Sequence, residues 1–326
     1  MGKNLMWEKI REKVLLGEGL SREEAYYLAG WPQEKWGDLL YLSRQVRERF
    51  GGREVELCAI INARSGLCSE DCCFCAQSSR YKTGVEVYPL IDAPKALEKA
   101  RRIEALGVKR FALVTSGKGL GERDFKKVLE IYRVLRAETR LELCASLGII
   151  DEGKARRLKE VGVTTYHHNL ETGRSYFLQI CTTHTFEERV ATIRAARAAG
   201  LNVCSGGIIG LGETIAHRLE MIFELRELGV RSVPVNILNP IPGTPLADQE
   251  RLPVEEILKT LALFRLIIPQ AVFRLCGGRE PGLGEKQKEA LAVAINGLMV
   301  GNYLTTRGNE IREDLDMIAA AGLRVG

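Results

Sequence analysis

Apolar residues recur along this chain in two rhythms. Residues 1 to about 50 carry only the three-to-four spacing of amphipathic helices, over 7–16, 21–29 and 33–50. Ser21, followed by Glu24, gives the second of these a capping box. From Val55 onward, short apolar or β-branched runs alternate with charged amphipathic stretches. Strands are predicted over 55–62, 110–115, 141–146, 164–169, 202–208, 232–238, 271–275 and 294–300. Helices are predicted between them over 93–106, 122–139, 151–161, 185–199, 214–228, 254–267 and 286–291, with a last helix over 309–321. Several helices run into a glycine before the next strand, as at Gly107, Gly162, Gly200 and Gly229. Strands joined by helical crossovers over roughly 250 residues predict an α/β fold of the (β/α)8 TIM-barrel type. The expected division is an N-terminal helical extension over 1–52, packing on a barrel over 53–326.

Composition narrows the function by exclusion. The chain has 326 residues and a net charge of +5, with acidic and basic residues interleaved. No block of Lys and Arg and no aromatic-basic stripe points to nucleic acid. No apolar run has the length of a membrane span, and the first residues do not read as a signal peptide. A cytoplasmic protein is expected. In that reducing setting, nine cysteines read as metal ligands or buried apolar residues rather than disulfides.

The cysteines fall in two sets. Cys68, Cys72 and Cys75 share one loop after the first predicted strand, at the rim where barrel active sites form. Three thiolates can hold three irons of a 4Fe–4S cube and leave the fourth iron open to a substrate. Zinc is the competing use, but zinc motifs pair Cys-x2-Cys with a second Cys or His pair, and none follows here. Cys73, between two ligands, reads as a small non-ligand, and Cys181 as structural. Cys58, Cys144, Cys204 and Cys276 belong to predicted strands one, three, five and seven. Barrel interiors fill in layers supplied by alternate strands, so these four thiols are expected to converge on a second cluster. Arg274 shares a face with Cys276, and His167, Asn169 and Glu171 share one on strand four. The Gly-rich Val203–Thr214 segment belongs to the strand-five turn and opens a helix, without the Lys-Ser/Thr of a P-loop. Arg189 is a candidate carboxylate anchor.

The loop spacing resembles the radical S-adenosylmethionine (SAM) superfamily. The wider set of segments resembles the biotin synthase family: Asn62-Ala-Arg-Ser-Gly-Leu-Cys-Ser-Glu-Asp-Cys, Gln77-Ser-Ser-Arg-Tyr, His168-Asn-Leu-Glu-Thr, the Val203–Thr214 turn, Asn236-Ile-Leu-Asn-Pro-Ile-Pro-Gly-Thr-Pro-Leu, Arg274-Leu-Cys-Gly-Gly-Arg-Glu and Leu304-Thr-Thr. The resemblance runs from about residue 20 to the end of the chain. It implies a SAM-radical barrel, as a homodimer, that inserts sulfur into dethiobiotin to make biotin, reduced by a flavodoxin or ferredoxin system. It implies that Cys68, Cys72 and Cys75 hold a 4Fe–4S cluster, with Phe74, Asn169, Glu171, Arg189 and Ile208 around SAM. It also implies dethiobiotin contacts from Asn169, Asn236, Thr305 and Thr306, with His167 nearby.

The auxiliary site departs from the commonest family pattern, a 2Fe–2S cluster held by three cysteines and an arginine. Cys144, Cys204 and Arg274 match that pattern, but the remaining cysteine position is Ala112, and Cys58 and Cys276 are additional. Two arrangements are expected. One is a four-iron auxiliary cluster on Cys58, Cys144, Cys204 and Cys276, with Arg274 beside it. The other is a 2Fe–2S cluster with Cys58 standing in for Ala112. Two other functions remain in view: a hydrogenase-maturase-like enzyme of the same branch, and a non-catalytic iron–sulfur carrier.

Overall fold

The computed structural model describes residues 2–326. The strands are β1 (Glu54–Arg64), β2 (Arg110–Thr115), β3 (Glu142–Ser146), β4 (Val163–His167), β5 in two segments (Asn202–Cys204 and Gly207–Ile209), β6 (Ser232–Ile237), β7 (Val272–Leu275) and β8 (Gly297–Met299). All neighbours pair in parallel. β8 returns to β1 with Glu56 opposite Gly297, closing a (β/α)8 barrel. A short β9 (Arg324–Val325) pairs with the start of β1.

Period-two alternation sorts the strand residues. Ala59, Phe111, Leu113, Leu143, Ala145, Tyr166, Val233 and Phe273 are buried and form the apolar core. Cys58, Ala112, Cys144, Cys204 and Arg274, at the opposite parity, line an interior cavity.

The N-terminal helices are Gly2–Leu15, Arg22–Ala29 and Trp36–Gly51: the first begins earlier than the expected residue 7, the second begins where expected with the Ser21–Glu24 capping box formed, and a 3-10 turn over Gln33–Lys35 leads into the third. They pack on the barrel's outer helices. Ser43 Oγ donates to the Val293 carbonyl at 2.8 Å, and Lys259 Nζ to the Ala29 carbonyl at 2.6 Å. Helix Val254–Ile267 is therefore covered on all sides, and every residue from Ile257 to Ile267 is buried.

The fourth strand ends at His167 rather than 169, so Asn169 and Glu171 lie just past it, and two further strands differ from the sequence reading for identifiable reasons. The fifth strand is interrupted at Ser205–Gly206, where the Gly206 N–H goes to Asn169 Oδ1 at 3.1 Å. The eighth strand is shorter than 294–300 because buried arginines take its first carbonyls. Arg265 Nε bonds Ala294 O at 3.0 Å, and Arg47 Nε bonds Ile295 O at 3.1 Å. Short helices at Phe177–Ile180 and Arg279–Leu283 were not anticipated. The second contains Pro281 and Gly282, both poor helix formers; its Pro sits in the first turn, where a missing N–H costs little.

Gly206 lies so close to strand β6 that a Cβ there would stand 1.8 Å from the Pro234 carbonyl oxygen. Gly206→Ala should therefore cost about 1–3 kcal/mol through overpacking. Thermal unfolding of the anaerobic protein checks this, and an unchanged midpoint would mean that the β5–β6 contact yields freely.

Candidate active site

The loop that follows β1 is held by its own backbone and by polar side chains. Cys68 N donates to Gln77 O at 3.0 Å, Ser79 N to Cys68 O at 2.8 Å, and Cys75 N to Cys72 O at 3.0 Å. Gln77 Oε1 accepts from Gly66 N at 3.2 Å and from Asn62 Nδ2 at 3.3 Å. Cys68, Cys72 and Cys75 thus sit on one compact turn at the barrel rim. Burial pushes the Cys75 thiol up to about 11, with Cys68 and Glu171 adding to the rise. Glu171 is therefore near enough to be felt at this turn. Its backbone is left-handed, with φ 73°, and its carbonyl accepts from Ile208 N at 2.8 Å. That strained residue is pinned where β4 meets the second segment of β5.

Cys181 is more than structural packing. Its Sγ lies within 4.8 Å of the Cys72 thiol and of His184. It is 3.2 Å from Asp71 Oδ1 and 3.2 Å from His184 Nδ1. Hydrogen bonding between the two thiols pushes Cys72 up, helped by burial, and pulls Cys181 down to about 4. His184 is itself fixed: Arg189 Nε donates to its Nε2 at 3.0 Å, and its Nδ1 lies 2.6 Å from Glu70 Oε2. With the Nε2 lone pair occupied and the Nδ1 proton turned to Glu70, His184 orients the cluster loop rather than offering a metal lone pair. Arg189 also donates to the Asn169 carbonyl at 2.9 Å and lies 3.6 Å from Glu171 Oε1. The expected SAM contacts are in this way tied to the Cys72 side of the loop.

The barrel interior encloses a cavity of about 360 Å³. Cys58, Cys144, Cys204, Cys276 and Arg274 all line it. Phe74, His167, Asn169, Glu171 and Ile208 line it too, as do Asn236, Thr305 and Thr306. The strand thiols are spread more widely than ligands of one ion: among the described residues, no three come within 4.8 Å of one another. They nevertheless share one electrostatic environment. Burial pushes Cys144 up to about 12, and Cys204 and Cys58 add to the rise. Burial opposes the charge on Arg274, but Cys58, Cys204 and Cys276 outweigh it and raise its pKa. Its guanidinium is held from behind by Glu56, at 3.0 Å from the side-chain Oε2 and 3.0 Å from the main-chain carbonyl. Burial lowers the pKa of His167; Glu171 opposes this, and Arg274 and Arg189 add to it.

Ala112 stands opposite Ile60 on one side and Cys144 on the other, while Cys58 pairs with Arg110. Cys58 therefore lies two residues along β1 from Ile60, the register partner of Ala112. The sequence reading missed Arg110, which lines the cavity between Glu56 and Glu142, bonding the latter at 2.6 Å. Its strand parity with Ala112 was the available signal. It also missed Tyr303, which lines the cavity and donates to Glu280 Oε1 at 2.7 Å.

Comparison with known proteins agrees with this architecture. The model of the radical SAM superfamily matches residues 64–225, and that of the biotin and thiamin synthesis associated domain matches residues 234–324. The chain is similar to the biotin synthase of Pelotomaculum thermopropionicum, 55% identical over 98% of this chain and 100% of the relative. It is similar to that of Heliobacterium modesticaldum, 53% identical over 96% of each. Among solved structures, methylornithine synthase superposes with a TM-score of 0.84 at 19% identity, covering 97% of each chain. The FeFe-hydrogenase maturase of Carboxydothermus hydrogenoformans superposes with 0.83 at 19% identity, over 98% of this chain and 79% of that one. These two share the fold.

Asp71 anchors the 181–184 segment to the cluster loop, accepting from Thr182 N at 2.9 Å and Thr183 Oγ1 at 3.0 Å. Burial opposes its charge, and these hydrogen bonds more than offset that, so its carboxyl is held well below the usual range. Asp71→Asn should weaken this anchor by about 1–3 kcal/mol, read as faster hydrogen exchange at the Thr182 and Thr183 amides. A depressed carboxyl stabilises only above its ordinary range, so the difference from the parent should shrink as pH falls below about 4.

Proposed function

The chain belongs to the biotin synthase family, and we propose that its two thiol sets hold two iron–sulfur clusters with separate duties. It is a radical SAM sulfurtransferase that converts dethiobiotin to biotin, with SAM and a 4Fe–4S cluster as cofactors. When bound, the first cluster with SAM supplies a carbon-centred radical, and the auxiliary cluster supplies the sulfur.

In this reading Cys68, Cys72 and Cys75 hold the 4Fe–4S cluster and leave one iron for SAM. Glu171 and Asn169 face SAM from the end of β4, with Arg189 behind them and Phe74 and Ile208 on the cavity wall. His167, Asn169, Asn236, Thr305 and Thr306 hold dethiobiotin between the two clusters. Asn236 is preset for this, since Gly277 N donates to its Oδ1 at 3.1 Å and its Nδ2 donates to Gly207 O at 3.3 Å. The enclosed interior keeps water from a reactive carbon and holds the sulfur acceptor and donor at fixed separation.

The auxiliary cluster is read as a four-iron cluster on Cys58, Cys144, Cys204 and Cys276. One observation carries this: all four thiols line one cavity with Arg274, spaced too widely for a single ion. A 2Fe–2S cluster with Cys58 replacing the thiol missing at Ala112 is the second reading. Cys58 is not the register partner of Ala112, which faces Ile60, and this weighs against a one-for-one exchange. A reduced flavodoxin or ferredoxin as electron source, a homodimer and a cytoplasmic location complete the proposal. They rest on the family pattern and on nine unpaired cysteines.

Cys276→Ser is the test. Mössbauer spectra of anaerobic, iron-57-labelled protein should show about eight irons per chain in the parent, all in four-iron clusters. The variant should keep about four irons, still cleave SAM to deoxyadenosine and make no biotin. Full auxiliary iron in the variant would sink the four-cysteine site.

A further inference from the structure

One charged side chain on the cavity wall has a path built for it. Arg274, on β7, is the register partner of Gly297 on β8, and Gly297 is the register partner of Glu56 on β1. A Cβ on Gly297 would stand 2.9 Å from Arg274 Nη1 and 3.2 Å from its Cζ. The absence of a side chain there lets the guanidinium cross β8 and reach the next strand. It grips Glu56 at two atoms, Nη1 donating to the main-chain carbonyl and Nη2 to Oε2, each at 3.0 Å. A planar fork of donors suits that double grip.

Glu56 is itself fixed from the far side. Arg110 Nη1 donates to the same Oε2, and Arg110 Nε donates to Glu142 at 2.6 Å. Arg274, Glu56, Arg110 and Glu142 thus form a belt of alternating charge across consecutive strands of the barrel, from β7 through β8 and β1 to β3.

Arg274 is 3% exposed, and among the described residues its hydrogen bonds go to Glu56 alone. Its other N–H groups are uncommitted, and it shares the cavity with Cys58, Cys144, Cys204 and Cys276. Iron and sulfide held by four thiolates form a net anion, and buried opposite charges attract strongly. Untethered, the guanidinium would be drawn onto that anion and cover the face that substrate has to approach. The Glu56 carboxylate pulls the other way.

We propose that Glu56 and Gly297 are positioning residues for the sulfur-donor site. Gly297 opens the path and Glu56 tethers Arg274 against the barrel wall, so that the guanidinium balances the auxiliary cluster from a distance and leaves its cavity face to the substrate carbon. This rests on the four-cysteine cluster proposed above.

The test uses anaerobic, cluster-loaded protein labelled with nitrogen-15 arginine and reduced with dithionite. Pulsed electron paramagnetic resonance reads the coupling between the cluster and nearby arginine nitrogens, which falls steeply with distance. The parent should show weak coupling. Glu56→Gln, which loses the tether, and Gly297→Ala, which blocks the path and leaves every charge in place, should each raise it several-fold. Adding Arg274→Lys to either variant should abolish the rise. Gly297→Ala decides the matter if Glu56→Gln fails to hold auxiliary iron. Mössbauer iron counts on the same samples separate the two ideas. With about eight irons per chain and coupling unchanged in both variants, the tether alone is overturned. Strong coupling in the parent would put Arg274 on iron and overturn the four-cysteine cluster together with the tether.

Discussion

Charge inside a closed barrel has to be balanced from within, because little water reaches it. The interior of this protein is organised by that constraint. Four thiols at inward positions become strong ligands only as anions, and burial resists each ionisation. Arg274 supplies the fixed positive charge, and Glu56 keeps it from retreating toward solvent. Arg110 completes the arrangement from the adjacent strand. Burial raises all four thiols even with the guanidinium present, and Arg274 offsets part of that rise for each of them.

The fold was largely legible in the chain because its two rhythms are strong. The second strand matches its expected span, and Ser21 caps its helix as the pattern requires. What was not legible depended on side chains arriving from distant sequence. Nothing near residues 294–296 indicates that Arg47 and Arg265 will take those carbonyls and shorten the strand. Nothing near Ser205 shows that Asn169 will claim the next amide. Local propensity gives way at these points because a buried backbone group accepts whichever donor reaches it.

The candidate site divides in the same manner. Strand parity and motif spacing led to Cys58, Cys144, Cys204, Arg274 and His167, each fixed by its own strand, and to Asn169 and Cys276 just past the ends of theirs. The partners of the loop were harder to see. Cys181 and His184 lie more than a hundred positions from Cys72, on a segment that reads as an ordinary helix start, and only tertiary structure brings them together. Arg110 carried a fainter signal: it stands two places before Ala112 on the same face of its strand, and nothing local shows that it will reach Glu56 and Glu142 across the neighbouring strands.

The closure of the barrel also has a temporal side. Cys68, Cys72 and Cys75 lie in one loop sewn by local hydrogen bonds, so that set can assemble soon after its segment leaves the ribosome. The strand set extends from Cys58 to Cys276 and converges only when β8 pairs with β1, Glu56 against Gly297. Contacts of such long range form late in folding. The nascent chain therefore offers metal a nearly complete three-thiol loop while its other thiols are still scattered. The order in which the two centres can be filled is written into the topology.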